Sequence, residues 1–120
     1  MIKVYLHPKC TTCQKAIAWL DADGIPYTSA DIRETPPSID ELRMMLQHTG
    51  KLSKLCNTSG QDYRALGLKE KLPLMSEAEA LELLAGNGML IKRPFVLTGH
   101  GGVTGFREPE WAALFGRSAS

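Results

Sequence analysis

No apolar run in this sequence approaches the ~18 residues that a membrane-spanning helix needs. The opening stretch MIKVYLHPK also interrupts its apolar residues with polar ones, which leaves no continuous apolar segment of the kind a secretory signal carries. The expectation is a soluble, cytoplasmic protein without a membrane partner. Cysteine is scarce as well. Three Cys in 120 residues are too few for a disulfide framework, and the odd number leaves one thiol over in any pairing. In a reducing compartment such thiols are either reactive or simply buried.

Charge imbalance is missing too. Fourteen Lys plus Arg against thirteen Asp plus Glu leave a net charge of +1, so no global field draws the chain to nucleic acid or to an anionic membrane. A local basic patch stays open. The sequence has neither an internal repeat nor an interdomain linker, and 120 residues at 43% hydrophobic fit one globular domain over 1–120 with a single core.

What is present is Lys9-Cys10-Thr11-Thr12-Cys13, two thiols two residues apart between an apolar run and a helical pattern. Ahead of it, Ile2, Val4 and Leu6 alternate with Lys3, Tyr5 and His7, the period of a strand, which Pro8 closes. Behind it, Ala16, Ile17, Trp19 and Leu20 recur at helical spacing between Thr12 and Asp23, and Gly24 suits the left-handed residue after a helix end. Cys10 therefore precedes a helix and Cys13 lies in its first turn. An extended segment from Ile25 to about Ile32 completes a βαβ unit with a parallel crossover.

Pro36-Pro37 breaks the chain, and Ser38-Ile39-Asp40-Glu41 then reads as a capping box. Leu42, Met45 and Leu46 follow on one face until Gly50, and the Met44-Met45 pair reads as core filler. From Leu52 to Leu68, Leu55, Leu66 and Leu68 are candidate core anchors, while Asn57-Thr58-Ser59-Gly60 is turn composition between short helices. Ser76-Glu77-Ala78-Glu79 opens a second capped helix that Gly86 and Gly88 end. Phe95-Val96-Leu97 and Val103-Thr104-Gly105-Phe106, joined by a Gly-rich turn, form an antiparallel hairpin. Pro109 suits the first turn of a last helix carrying Trp111, Leu114 and Phe115, and the Ser118-Ala119-Ser120 tail is expected to fray. This order describes an α/β, thioredoxin-like fold: a mixed four-stranded sheet built of βαβ and ββα halves, with a helical insertion over about 37–88.

The thiolate is the reactive form of cysteine, and the free N–H groups and positive end of a helix favour it at Cys10. Cys13, one turn on, faces Cys10 closely enough to attack a sulfur adduct there, so the pair can act as attacker and resolver. CxxC is also half of a zinc ribbon, but there is no second CxxC, and Cys56, His7, His48 and His100 show no ligand spacing. No metal is expected. The plain reading of Cys56 is a small buried hydrophobe. His48 and His100 are expected to face solvent, and His7 to end a strand, each a candidate base. Taken alone, Arg93 and Arg107 read as exposed arginines; should both converge on Cys10, they would stabilise its thiolate and form a fork for an oxyanion.

In order along the chain, CTTCQKAIAWL, GIPY, PPSIDEL, the NTSG turn before YRALGL, IKRP and GFREPEW resemble the arsenate reductase and Spx regulator family over nearly the whole length. The resemblance lies closest to an uncharacterised, reductase-related branch with CxxC and NTSG. It implies a thioredoxin-like fold in which Pro94 is a cis-proline facing the active thiol. It further implies that the Cys matching Cys10 attacks arsenate, that glutathione with glutaredoxin, or thioredoxin, supplies the reducing thiol, and that arginines matching Arg93 and Arg107 bind the anion. A third arginine of those enzymes falls on Asn57, whose amide cannot supply the charge. Spx-type regulators instead use CxxC as a redox switch and bind RNA polymerase. The resemblance thus implies a thiol-dependent reductase of an oxyanion or disulfide, with a redox-gated regulator as the alternative.

Overall fold

The computed structural model describes residues 2–116, and the Ser118-Ala119-Ser120 tail expected to fray lies outside the described residues. Strand β1 (Lys3–Leu6) leads into helix α1 (Thr11–Ala22) and returns as β2 (Thr28–Asp31), parallel to β1. Helices α2 (Ile39–Thr49), α3 (Gln61–Ala65), α4 (Leu68–Lys71) and α5 (Glu77–Ala85) follow, with tight 3-10 turns at Leu52–Leu55, Leu72–Leu74 and Gly88–Leu90. Strands β3 (Phe95–Leu97) and β4 (Gly102–Thr104) form the antiparallel hairpin, and α6 (Glu108–Phe115) closes the described chain. The strand order β2-β1-β3-β4 is the mixed thioredoxin-like sheet that the order of elements predicts, with β4 at an edge.

Local chemistry explains the boundaries. Cys10 is the N-cap of α1, and Gly24 just beyond that helix takes φ 64°. Both capping boxes, Ser38 with Glu41 and Ser76 with Glu79, have each of their hydrogen bonds formed, and each contributes about 1 kcal/mol to its helix. Strand β2 starts three residues later than the sequence suggests. The Ile25 N–H is taken by the Leu20 carbonyl at 3.0 Å and Pro26 has none, so the Thr28 N–H makes the first bond across, to the Ile2 carbonyl at 2.9 Å.

Both faces of the sheet are covered. On one, Val4 and Val96 pack with Ala16 and Leu20 of α1 and with Trp111 of α6. On the other, Tyr5, Phe95 and Leu97 pack against Leu42, Met45, Leu55, Leu81 and Leu84 from the inserted segment. Tyr5 therefore departs from the polar side of the β1 alternation. Its ring is buried against Phe95 in an edge-on contact of 5.8 Å, and its hydroxyl donates to Glu41 Oε1 at 2.6 Å, which satisfies the one polar atom it carries inward. Burial alone would raise the Glu41 pKa, but the Tyr5 hydroxyl, the Ser38 N–H and Lys3 together hold it below the usual carboxylate value.

The insertion ends tightly against β2. A Cβ added at Gly88 would lie 1.8 Å from the Ile32 carbonyl oxygen, so only glycine allows that approach. Met45, Leu55 and Leu68 are buried as expected, but Met44 is 43% exposed and Leu66 40%. Met44 stands one residue off the stripe that Leu42 and Met45 bury. Leu66 follows a five-residue helix too short to impose a face of its own.

Candidate active site

The end of β1, the hairpin and the insertion meet around Cys10. A cavity of about 350 Å³ there is lined by Cys10, Thr12, Asn57, Lys92, Arg93, Thr104, Gly105, Phe106 and Arg107. Cys10, Arg93, Arg107 and Asn57, singled out from the sequence at four separate places, share this one cavity. Its lining holds three cationic side chains and no carboxylate.

Cys10 occupies the N-cap position that Ser, Thr, Asp or Asn ordinarily fills. Its Sγ accepts the Cys13 backbone N–H at 3.3 Å, and its own N–H is tied to the His7 carbonyl at 3.0 Å. The Cys10 thiol is half-buried and free of any disulfide, and the buried Cys13 and Cys56 thiols are free as well. Cys13 lies inside the first turn at 2% exposure and faces a small cavity of about 230 Å³ with Leu6, His7 and Ile17. Burial pushes the Cys13 thiol up to about 12; the His7 backbone N–H works against this and the neighbouring Cys10 thiol works with it. The two thiols thus differ in access, Cys10 opening into the cationic cavity and Cys13 held protonated behind it. His7 just follows β1. Burial first, and then the cations Arg33 and Arg93, hold its imidazole below the usual histidine value, while its Nδ1 accepts the Lys9 N–H at 3.0 Å.

The cations are positioned by backbone. Arg93 Nη1 donates to the Ile91 and Met89 carbonyls at 3.3 and 3.4 Å, which fixes a half-buried guanidinium beside the thiol turn. The Arg93-Pro94 peptide is cis, and Pro94, which does not itself line the cavity, accepts the Gly105 N–H at 2.9 Å. Gly105, at φ 75°, also accepts the buried Trp111 indole N–H at 3.0 Å. Held from both sides, Gly105 places Arg107, the N-cap of α6, over the cavity mouth. A Cβ at Gly105 would come within 2.9 Å of Lys92 Cε, so the bare glycine makes room for that side chain. Asn57 is set by its N–H bond to the Leu90 carbonyl at 2.8 Å, and the Lys92 N–H reaches the Leu55 carbonyl at the same distance. Those two bonds flank the Cys56–Ile91 bridge that joins the insertion to the lead into β3. Among the described residues, Arg93, Arg107 and Lys92 form no ion pair with a carboxylate.

Cys56 is close in sequence to Asn57 yet stands apart chemically. It is 1% exposed, its thiol donates to the Leu52 carbonyl at 3.3 Å, and burial pushes it up to about 11. His48 and His100 are exposed and line a different cavity. No three His, Cys, Asp or Glu side chains gather as a metal-holding group among the described residues, and no described helix is long and apolar enough to cross a membrane. Sequence reasoning missed Lys92, Thr12, Thr104 and Phe106 as lining residues. Lys92 had a signal in its place beside Arg93, before the same proline; the others follow only from the folded hairpin and the helix turn.

With the fold and the geometry of this cavity in hand, the chain can be compared with known proteins. A model of the ArsC family matches residues 5–114. The uncharacterised protein YusI of Bacillus subtilis (strain 168) is 49% identical over 108 residues, spanning 89% of this chain and 92% of YusI. The global transcriptional regulator Spx of Listeria innocua is 31% identical over 112 residues, spanning 92% of this chain and 83% of Spx. Among solved structures, that of a possible arsenate reductase from Streptococcus mutans UA159 is similar at a TM-score of 0.84 with 47% identity, covering 89% of this chain and 92% of that one.

Proposed function

Because the chain belongs to the ArsC family, we propose that it is a cytoplasmic, thiol-dependent oxidoreductase in which Cys10 attacks an oxyanion or a disulfide and Cys13 resolves the adduct. One observation carries this reading: a half-exposed N-cap thiol opens into a cavity with three cationic side chains and no carboxylate. The cations favour an anionic substrate.

With a disulfide, the Cys10 thiolate attacks one sulfur, forms a mixed disulfide and expels the other sulfur as thiolate. Cys13 then loses its proton and attacks Cys10 Sγ, which releases the second substrate thiolate and leaves Cys10–Cys13 oxidised. With a pentavalent oxyanion such as arsenate, Cys10 displaces an oxygen as water to give a sulfur adduct. Attack of Cys13 on Cys10 Sγ then passes two electrons to the central atom. In both cases an external thiol, glutathione with glutaredoxin or thioredoxin, reduces the Cys10–Cys13 disulfide for the next turnover. Arg93 and Arg107 bind the anion, Asn57 adds a hydrogen-bonding amide, and Pro94 shapes the site by holding Gly105. Lys92 restores the third positive charge that Asn57 does not carry.

The test is arsenate reduction, and in parallel reduction of a small disulfide, with glutathione and glutaredoxin. Turnover that disappears in Cys10→Ser supports the reading, and absence of turnover with both substrate types overturns it. The 31% identity to Spx favours one second reading, a regulator whose Cys10–Cys13 switch gates binding to RNA polymerase. Retention of purified polymerase by the oxidised protein, without turnover, would select it.

A further inference from the structure

A second cavity lies beside the thiol site, and apart from Lys92, Thr104 and Arg107 its lining has no part in the reaction just described. It measures about 630 Å³, within the range of built ligand sites, and is lined by the end of α2, by Lys54, by β4 and by the outer side of α6. Lys92, Thr104 and Arg107 line both cavities, so the groove runs on from the mouth over Cys10. Lys54, Lys92 and Arg107 supply positive charge, His48 and His100 add polar ring nitrogens, and Glu110 is the one carboxylate in the lining.

One further feature suits the groove to a polypeptide. Strand β4 is an edge of the sheet. The bonds from Gly105 N–H to the Pro94 carbonyl and from Thr98 N–H to the Gly101 carbonyl set the antiparallel alternation, which directs the backbone groups of Val103 inward and those of Gly102 and Thr104 outward. An extended peptide can pair with such an edge. The Thr49 hydroxyl, buried beneath the groove, has no hydrogen-bond partner among the described residues.

We propose that this groove seats an acidic segment of a protein disulfide substrate, with Asp or Glu a few residues from the cysteine that exchanges with Cys10. The inference rests on the reductase reading and names its substrate class. Cys10 attacks the partner's disulfide, the partner's second cysteine leaves as thiolate, and the acidic flank lies along Lys54 and Lys92 while the mixed disulfide persists. Cys13 then attacks Cys10 Sγ and frees the partner's first cysteine, so the partner gains two electrons and the pair is oxidised.

The test uses the full, reduced protein and two short peptides, each with one cysteine capped as a disulfide with thionitrobenzoate, one flanked by Asp and Glu and the other by Lys. Release of thionitrobenzoate is followed at low and high salt, and the ratio of the two rates is divided by the ratio that free mercaptoethanol gives. The expected result is an advantage of about tenfold for the acidic peptide at low salt, shrinking as salt screens the groove. Lys54→Gln should cut that advantage by about threefold and leave the rate with neutral 2,2′-dithiodipyridine unchanged. Equal corrected rates for the two peptides, or an acidic rate unaffected by Lys54→Gln, overturn the groove and leave the thiol chemistry standing. Failure of both peptides and of the dipyridyl disulfide to react overturns the reductase reading itself.

Discussion

The turn that carries Cys10 and Cys13 and the turn that carries Cys56 both flank the same cavity, yet they treat sulfur in opposite ways. Cys10 caps a twelve-residue helix, receives a backbone N–H and looks onto Arg93, Arg107 and Lys92. Cys56 follows a four-residue 3-10 turn, points into the apolar core of the insertion and gives its own proton to a carbonyl. The difference shows that closeness to the cavity is not what makes a thiol a candidate nucleophile. A helix end, solvent access and uncompensated positive charge do so together.

The sharpest way to break this comparison is to remove one sulfur at a time. Cys10→Ser should lower reductase turnover by about a thousandfold or more, whereas Cys56→Ala should leave it within about twofold. Steady-state assays of the two variants check this, and a comparable loss in both would erase the distinction. Next in size, Arg93→Ala or Arg107→Ala should lower kcat/KM for an anionic substrate by about 10- to 100-fold, the loss of one charge-assisted contact. Rates with a neutral disulfide should change far less, and equal losses with both substrates would mean that the arginines support the fold and not the anion.

A stability measurement reads the buried thiols directly. In the reduced protein both Cys13 and Cys56 are held protonated, with pKa values raised from 9.0 to about 12 and about 11. An unfolded chain releases these protons first as pH rises, so their contribution is fully present below pH 9 and is lost between pH 9 and about 12. Urea unfolding at a series of alkaline pH values should show stability falling by several kcal/mol across that window, less when both cysteines are replaced by Ala. The smallest expected effect is that of Lys92→Gln, about a threefold rise in KM for an anionic substrate, because its exposed charge is well screened.

Much of this was readable in the sequence because it depends on near neighbours. The CxxC before a helix, both capping boxes, the left-handed Gly24, the helix stop at Gly50, the early Pro109 and the hairpin are contacts within a few residues, and each has a fixed spacing. Burial of Cys56 followed from its leucine neighbour. The convergence of Arg93, Arg107 and Asn57 on Cys10 could only be implied by resemblance, since it depends on the clasp of Gly105 by Pro94 and Trp111 and on the Cys56–Ile91 bridge. Those contacts join parts of the chain that no local pattern links. Tyr5 was misread for the same reason, as its cover comes from an insertion more than thirty residues away. Leu66, just after a helix too short to impose a face, and Met44, one residue off the buried stripe of α2, show the opposite limit, where apolar character alone does not decide burial.

Cys10 and Cys13 are proposed to form one working unit from which Cys56 is excluded. Mild peroxide treatment of the full protein, followed by proteolysis and mass mapping of the linked peptides, tests it most directly. The expected product is a Cys10–Cys13 disulfide that dithiothreitol reverses, with Cys56 recovered as a free thiol. A linkage from Cys56 to Cys10 or Cys13, or oxidation of Cys56 ahead of Cys10, would contradict it.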